Sequence, residues 1–176
     1  MMAITSVMVR MGKHLLMSPW RLSRAFPRHS LEAVERAIRD SEVVHAGEIC
    51  FVVEGALDGA ALYGRHSPRD RAIEVFCHHR LWDTEHRGGV LIYVLLADRS
   101  VEIVADRGVH NKVGTQEWQR ICRKMEEAFG EGHYEAGVLT GIQEVSGVLA
   151  EHFPTSTTGT PQLQDMSAKD PANSAC

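Results

Sequence analysis

Two apolar segments separated by a short polar turn constrain the fold of this chain more than any other feature. The first reads "GVLIYVLLA" (89–97), the second reads "VEIVA" (101–105), and Asp98-Arg99-Ser100 separates them. A continuous apolar run predicts a central strand that is covered on both faces, whereas the alternation in the second segment predicts a strand nearer the edge of a sheet. The turn predicts that the two strands form an antiparallel hairpin.

A third strand precedes the hairpin. The stretch "EICFVVEGAL" (48–57) predicts a buried strand that includes residues 49–53. Between this strand and the hairpin, Ser67-Pro68 is expected to begin a helix, with proline near its first turn. A strand, a helix and a second strand in succession predict a parallel pair with a right-handed crossover.

Three more helices are predicted from apolar residues that recur every three or four positions. Ser30 is expected to cap the first of them, whose apolar stripe spans residues 31–38. The other two stripes lie at 118–129 and 134–149. Together the elements predict an α/β fold: a three-layer α/β/α sandwich with a small mixed β-sheet, built from a parallel crossover plus a hairpin.

Composition divides the 176 residues into three predicted parts: a basic N-terminal arm (1–30), the α/β domain (31–153) and a disordered tail (154–176). The tail is rich in Pro, Ser, Thr and Gly and cannot bury enough apolar surface to become ordered. The arm is expected to pack on the domain. The alternative is an amphipathic segment that contacts a membrane surface.

The distribution of charge limits the classes of partner. The formal net charge is −4, but the arm holds five bases and no acid, and the body between arm and tail holds 13 bases and 21 acids. An acidic body disfavours nucleic acid, which requires a basic face. It permits a divalent cation or an unidentified protein partner with a basic surface. The chain has no apolar run long enough for a transmembrane segment, no secretory signal and no CxxC spacing, which predicts a cytoplasmic protein.

Several acids collect at one edge of the predicted sheet. Glu48 stands at the start of the first strand, Asp83 and Glu85 precede the second, and Asp106 follows the third. Parallel strands begin at the same end of a sheet, and the second strand of a hairpin finishes where the first begins. Oxygen ligands gathered in this way suit Ca²⁺ or Mg²⁺, while Zn²⁺ is less favoured and would draw on nearby histidines.

The same acids have an alternative interpretation as a charged rim. Arg87 and Arg107 stand next to them in sequence and could form salt bridges with them. At the opposite edge, Glu54, Asp58 and Asp98 are expected to be solvated turn residues.

Motifs for catalysis give no assignment. The chain has no GxSxG, no GxxxxGK[ST] and no GxGxxG after a strand, and it has no HExxH pattern. The adjacent histidines His78 and His79 would point about 100 degrees apart on a helix, so they are poorly placed to chelate one ion. The sequence motifs therefore assign no catalytic residue.

Two longer stretches carry a resemblance to a known family. "GGVLIYVLLADRSVEIVADRGV" (88–109), a helix, and then "FGEGHYEAGVLTGIQEVSGVL" (129–149) follow one another in this order. This arrangement resembles the TPM domain family, named after a thylakoid lumen protein, a photosystem II protein and a receptor modulator, and in particular its soluble bacterial branch. The resemblance covers about residues 31–153 and implies an α/β/α sandwich.

The resemblance also implies a cation site. Some members of the family bind Ca²⁺ at the end of the central strands. Carried over by position, this implies Asp83, Glu85 and Asp106 as metal ligands. Glu48, Arg107 and His110 are possible accessory residues.

Two functions follow from the resemblance. Some members act in the assembly of larger complexes, which implies an interaction or assembly domain with an acidic, cation-binding edge. Others are acid phosphatases of low activity, which implies the alternative of a metal-assisted phosphatase. In that case Arg107 or Arg87 would bind the phosphate and His110 could act as a general acid.

Overall fold

The structure is a computed structural model that describes residues 10, 14, 17–57, 67–82 and 88–155. The helices and strands with defined bounds in these ranges are α1 (Pro19–Ala25), α2 (Arg28–Ser41), β1 (Glu48–Glu54), α3 (Pro68–His78), β2 (Gly89–Leu95), β3 (Ser100–Ala105), α4 (Arg107–Val113), α5 (Thr115–Gly130) and α6 (Tyr134–His152).

The three strands form one mixed sheet in the order β1-β2-β3. Strands β1 and β2 run parallel, with Glu48 opposite Gly89, whereas β2 and β3 run antiparallel, with Val90 opposite Ala105. Every residue of β2 is buried. The central position of β2, the edge position of β3 and the parallel crossover through α3 are therefore confirmed.

Alternate residues of β2 enter two separate cores, because successive side chains of a strand point to opposite faces of the sheet. Val90, Ile92 and Val94 pack in a core with residues from α2, α4, α5 and α6. Leu91, Tyr93 and Leu95 pack in a second core with residues of α3. Helices thus cover both faces, which confirms the predicted three-layer α/β/α sandwich.

The starts of two helices test the sequence-based predictions. Helix α3 begins at Pro68 as expected, and Ser67 caps it: its side chain accepts a hydrogen bond from the Asp70 amide, and the Asp70 carboxylate accepts one from the Ser67 amide. The prediction for Ser30 was wrong. Helix α2 begins earlier, after Pro27, whose restricted φ of −66° suits the residue before a helix. Ser30 is buried within α2 and donates to Glu135 of α6.

Helices α1 and α4 were not predicted from the sequence. Helix α1 begins at Pro19, in the first turn, where a helix tolerates proline. Met17 and Leu22 pack against the core, and Phe26 is buried inside it. This part of the basic arm therefore lies on the domain. Among the described residues, no helix combines the length and apolar character that crossing a bilayer requires.

Candidate functional site

The acidic end of the sheet, defined by Glu48, Gly88, Gly89 and Asp106, is where β1 and β2 begin and β3 finishes. The Glu48 amide donates to the Gly88 carbonyl at 3.1 Å, and the Asp106 amide donates to the Gly89 carbonyl at 2.8 Å. The backbone positions of Glu48 and Asp106 thus flank the start of β2, as the topology predicted. Asp83 and Glu85, with Arg87, lie outside the described residues.

Close backbone contacts hold the chain together at the acidic end. A Cβ atom on Gly89 would overlap the carbonyl oxygen of Leu81, and one on Gly88 would lie 3.0 Å from the Cα of Gly47. The backbone after α3 therefore presses directly against the start of β2. The sequence signal for this contact was the pair Gly88-Gly89, which sequence reasoning used only as part of the family pattern.

The two carboxylate oxygens of Asp106 have different surroundings. One oxygen, Oδ1, accepts a hydrogen bond from the Arg107 amide at 2.6 Å. The other, Oδ2, is buried and has no hydrogen-bond partner within the described ranges. Leaving a buried carboxylate oxygen without a donor is unfavourable, so Oδ2 is the atom at the acidic end that most needs a positive partner.

Arg107 does not supply that partner. Its side chain is exposed and forms no ion pair with any acid in the described part of the chain. Glu48 is exposed as well. Arg107 therefore forms no salt bridge with Glu48 or Asp106, and the other two acids of the predicted rim, Asp83 and Glu85, lie outside the described residues.

His110 lies one turn into α4, where its amide donates to the Asp106 carbonyl at 2.8 Å and its side chain is half-buried. Within the described residues, no group of three or more His, Cys, Asp or Glu side chains is arranged to hold a metal ion. Glu48, Asp106 and His110 thus do not form a metal site by themselves. The predicted site depends on Asp83 and Glu85.

His45 is close to the acidic end but is engaged within the fold. Its side chain is 1% exposed, Nδ1 donates to the Gly47 carbonyl at 2.9 Å, and Nε2 lies 3.2 Å from Ser41 Oγ. Burial lowers the pKa of this imidazole. Because both ring nitrogens have partners, His45 connects the end of α2 to the start of β1 and is not available as a metal ligand.

At the opposite end of the sheet, Glu54 is part of a hydrogen-bonded network. Arg71 binds it through Nε and Nη2, the latter at 2.7 Å, and the buried hydroxyl of Tyr93 donates to it at 2.7 Å. Burial alone would raise the pKa of Glu54, but the hydrogen bonds from Arg71 and Tyr93 outweigh burial and lower it. Burial and the bond to Glu54 raise the pKa of Tyr93. The expectation that Glu54 is solvated was wrong.

Asp98 has a comparable set of partners. Arg10 Nη2 lies 2.8 Å from its carboxylate, and His14 Nε2 lies at 3.1 Å. His14 Nδ1 accepts a hydrogen bond from the Leu57 amide, so Nε2 carries the proton that is donated to Asp98. Burial would raise the pKa of Asp98, but the bonds from Arg10 and His14 lower it overall. Asp98 is therefore not a solvated turn residue, while Asp58 lies outside the described residues.

Comparison with known proteins places this fold in a family. A family model described as TPM domain matches residues 23–148. The BA42 protein of the psychrophilic bacterium Bizionia argentinensis has 30% sequence identity and a TM-score of 0.61, with coverage of 72% of this chain and 82% of that chain. The N-terminal domain of a protein from P. gingivalis shares the fold, with 19% identity, a TM-score of 0.60, and coverage of 73% of this chain and 80% of that chain.

The curated proteins searched contain no significant match. The family model, in contrast, matches well over half of the chain, and its span includes all three strands and most of the helices. The chain belongs to the TPM domain family.

Proposed function

We propose that this TPM domain is a cytosolic interaction or assembly domain whose acidic end binds a divalent cation, Ca²⁺ or Mg²⁺ rather than Zn²⁺. The observation that carries the proposal is the buried Oδ2 atom of Asp106, which has no hydrogen-bond partner among the described residues. A hard cation supplies the positive charge that such an oxygen requires. An imidazole-rich zinc site is disfavoured because His45 is engaged elsewhere.

The flanks of the 83–87 segment support the same location. Leu81 contacts Gly89, and Gly88 contacts Gly47, so the described residues on both sides of this segment lie at the acidic end. The proposal therefore brings Asp83 and Glu85 together with Asp106 as ligands, and Glu48 serves as an accessory acid. A cation held there would link the segment before β2 to the end of β3.

A partner-binding role fits the surface beside this site. Trp82, directly before the 83–87 segment, is 52% exposed. Exposed aromatic side chains are enriched where proteins contact one another. A cation bound beside Trp82 would help to fix the surface on which this side chain is presented. We propose a protein partner for this surface and no nucleic acid, because the body of the chain is acidic.

Titration calorimetry of the full chain with Ca²⁺, Mg²⁺, Mn²⁺ and Zn²⁺ tests the cation site. The double variant Asp83→Ala with Asp106→Ala should remain folded and bind Ca²⁺ or Mg²⁺ at least about tenfold more weakly, since two charged ligands are lost. Glu35→Ala on the exposed side of α2 is the matched control and should bind like the wild type. Absence of binding heat with all four ions would rule the site out.

The alternative function is a low-activity, metal-assisted acid phosphatase. It is favoured by the exposed Arg107, which forms no ion pair with a described acid and follows Asp106 directly, with His110 on the same helix as a general acid. The cation would polarise a phosphoryl oxygen and lower the pKa of a water molecule. Hydrolysis of a generic phosphoester should then disappear in the Asp83→Ala, Asp106→Ala variant. Turnover that persists in this variant would contradict the assignment.

A further inference from the structure

A cleft of about 660 Å³ lies at the end of the sheet opposite the acidic end. It is bounded by α1, by the turn between β2 and β3, and by the turn between α5 and α6. Three arginines line it, and apolar side chains provide much of the remaining surface. The lining residues that matter here are Arg21, Arg24, Arg99, Leu96, Ala97 and Tyr134. We call this the arginine cleft.

Among the described residues, no acid neutralises the positive charges of the arginine cleft. No acidic residue is part of its described lining. Arg24 lies 5.5 Å from the ring of the exposed Trp20, and neither Arg21 nor Arg99 forms an ion pair with an acid in the described ranges. Guanidinium groups stay charged at every physiological pH and repel one another, so they favour an anion between them.

The neighbouring acid is already occupied. Asp98 precedes Arg99 in the turn, but its carboxylate is held by Arg10 and His14. Arg99 is thus left without the carboxylate nearest to it in sequence. In a protein whose body carries an excess of acids, three arginines around one cleft without an ion pair to any described acid are unexpected as simple surface residues.

The backbone of Arg99 has an uncommon conformation. Its φ is +52°, in the left-handed region that glycine or asparagine adopts far more readily than arginine. Turn geometry alone would favour a different residue here. Arg80, which does not line the cleft, has a similar φ of +53°, so the backbone conformation of Arg99 supports a ligand site only together with its place in the cleft.

We infer that the arginine cleft binds a small molecule that carries one or more phosphate groups. The planar guanidinium matches two phosphate oxygens at once, and phosphates carry enough negative charge to offset several arginines. Leu96 and Ala97 are largely buried and contribute apolar surface to the lining of the cleft. The volume is within the range of small-molecule sites. This inference does not depend on cation binding at the acidic end.

Inorganic pyrophosphate is the probe for this site. In calorimetry at low ionic strength, the wild-type full chain should bind it, and amide resonances of residues 96–99 and 132–134 should shift on titration. The double variant Arg21→Gln with Arg99→Gln should bind at least about tenfold more weakly. The matched control is Arg123→Gln, an exposed arginine of α5 outside the cleft, which should bind like the wild type.

Arg99→Gly separates binding from folding. Glycine suits the positive φ at this position, so this variant should be at least as stable as the wild type and still bind pyrophosphate more weakly. Wild-type affinity in Arg99→Gly and in the double variant would overturn the inference. An equal loss in Arg123→Gln would also overturn it, because only the net charge would then matter.

Vesicles that contain phosphatidylglycerol distinguish a soluble phosphate ligand from a lipid headgroup. The inference expects pyrophosphate binding without co-sedimentation of the protein with these vesicles. Co-sedimentation that requires Arg21 and Arg99, in the absence of pyrophosphate binding, would overturn the small-molecule assignment.

Discussion

The two ends of the β-sheet carry acids that differ in their partners. At the acidic end, Glu48 is exposed and one oxygen of Asp106 is buried without a hydrogen-bond partner among the described residues. At the opposite end, Glu54 and Asp98 each receive hydrogen bonds from an arginine and from a second donor. An acid that the protein itself neutralises holds the fold together, whereas an acid left unpaired is available to a ligand.

The arginines at the end of the sheet opposite the acidic end fall into two groups, those with an acidic partner and those without one among the described residues. Arg71 forms an ion pair with Glu54, and Arg10 forms one with Asp98. Arg21 and Arg99, which lie in the arginine cleft, have no such acidic partner in the described part of the chain. The same end of the sheet therefore holds both a neutralised structural network and unneutralised cationic groups. This contrast is the basis for assigning a cation to one end and an anion to the other.

The largest expected effect concerns the backbone contact at the acidic end. Gly89→Ala would place a methyl group on the carbonyl oxygen of Leu81, and neither backbone can move without disturbing β2. We expect a loss of at least about 3 kcal/mol in the free energy of unfolding. The control is Gly147→Ala in α6, where nothing lies within 4 Å and alanine should add about 0.5–1 kcal/mol.

Denaturant unfolding of both glycine variants measures these changes. Gly89→Ala should lower the free energy of unfolding, and Gly147→Ala should raise it. If Gly89→Ala is as stable as the wild type, the packing of Leu81 against the start of β2 is wrong, and with it the location proposed for the 83–87 segment.

A second prediction compares the stability changes caused by removing one acid from each end of the sheet. Glu54→Ala removes the partner of both Arg71 and the buried Tyr93 hydroxyl, so we expect a loss of about 2–3 kcal/mol in a solution without divalent cations. Glu48→Ala should change the free energy of unfolding by no more than about 0.5 kcal/mol, because the side chain is exposed. Equal losses in chemical denaturation would contradict the proposed division into structural and available acids.

The smallest expected effect is on the pH dependence of the free energy of unfolding, to which titratable groups at the two ends of the sheet contribute at different pH. Burial lowers the pKa of His45 below its ordinary 6.5, so the unfolded state takes up the proton first. Its contribution to stability is thus present above pH 6.5 and lost as the pH falls through the folded-state pKa. His45→Gln should flatten this part of the stability profile.

Glu54 and Asp98 titrate in a separate, more acidic window. Their pKa values are lowered from 4.5 and 3.8, so their contribution is present above these values and lost only at lower pH. Asp98→Asn should flatten the profile below about pH 4 and leave the window near neutrality unchanged. Unfolding curves recorded across both windows distinguish the variants. A single shared transition that neither substitution alters would contradict these assignments.

The strands were predictable because each carries a local pattern. The uninterrupted apolar run at 89–97 identified the buried central strand, and the alternation at 101–105 identified an edge strand. Helix starts were less reliable. Ser30 has the composition of a capping residue, but Pro27 determines the start of α2, and Ser30 pairs instead with a carboxylate 105 residues away in sequence.

The position of the acidic end was also predictable, because strand direction alone decides which strand ends meet. The pairing of charges was not. Asp98 binds Arg10 and His14, which are more than 80 residues away in the sequence. Glu54 of β1 binds Arg71 of α3 and Tyr93 of β2. From sequence, such acids look like turn residues exposed to water.

The sequence by itself determined the order of the strands, their directions and the end of the sheet at which Glu48 and Asp106 both lie. These follow from the period of the apolar pattern and from the chirality of the chain, which are local properties. Only the tertiary structure decided which carboxylates are neutralised and which arginines remain available. Charge pairing depends on distances of a few ångströms between groups that are far apart along the chain, and only the packed fold sets those distances.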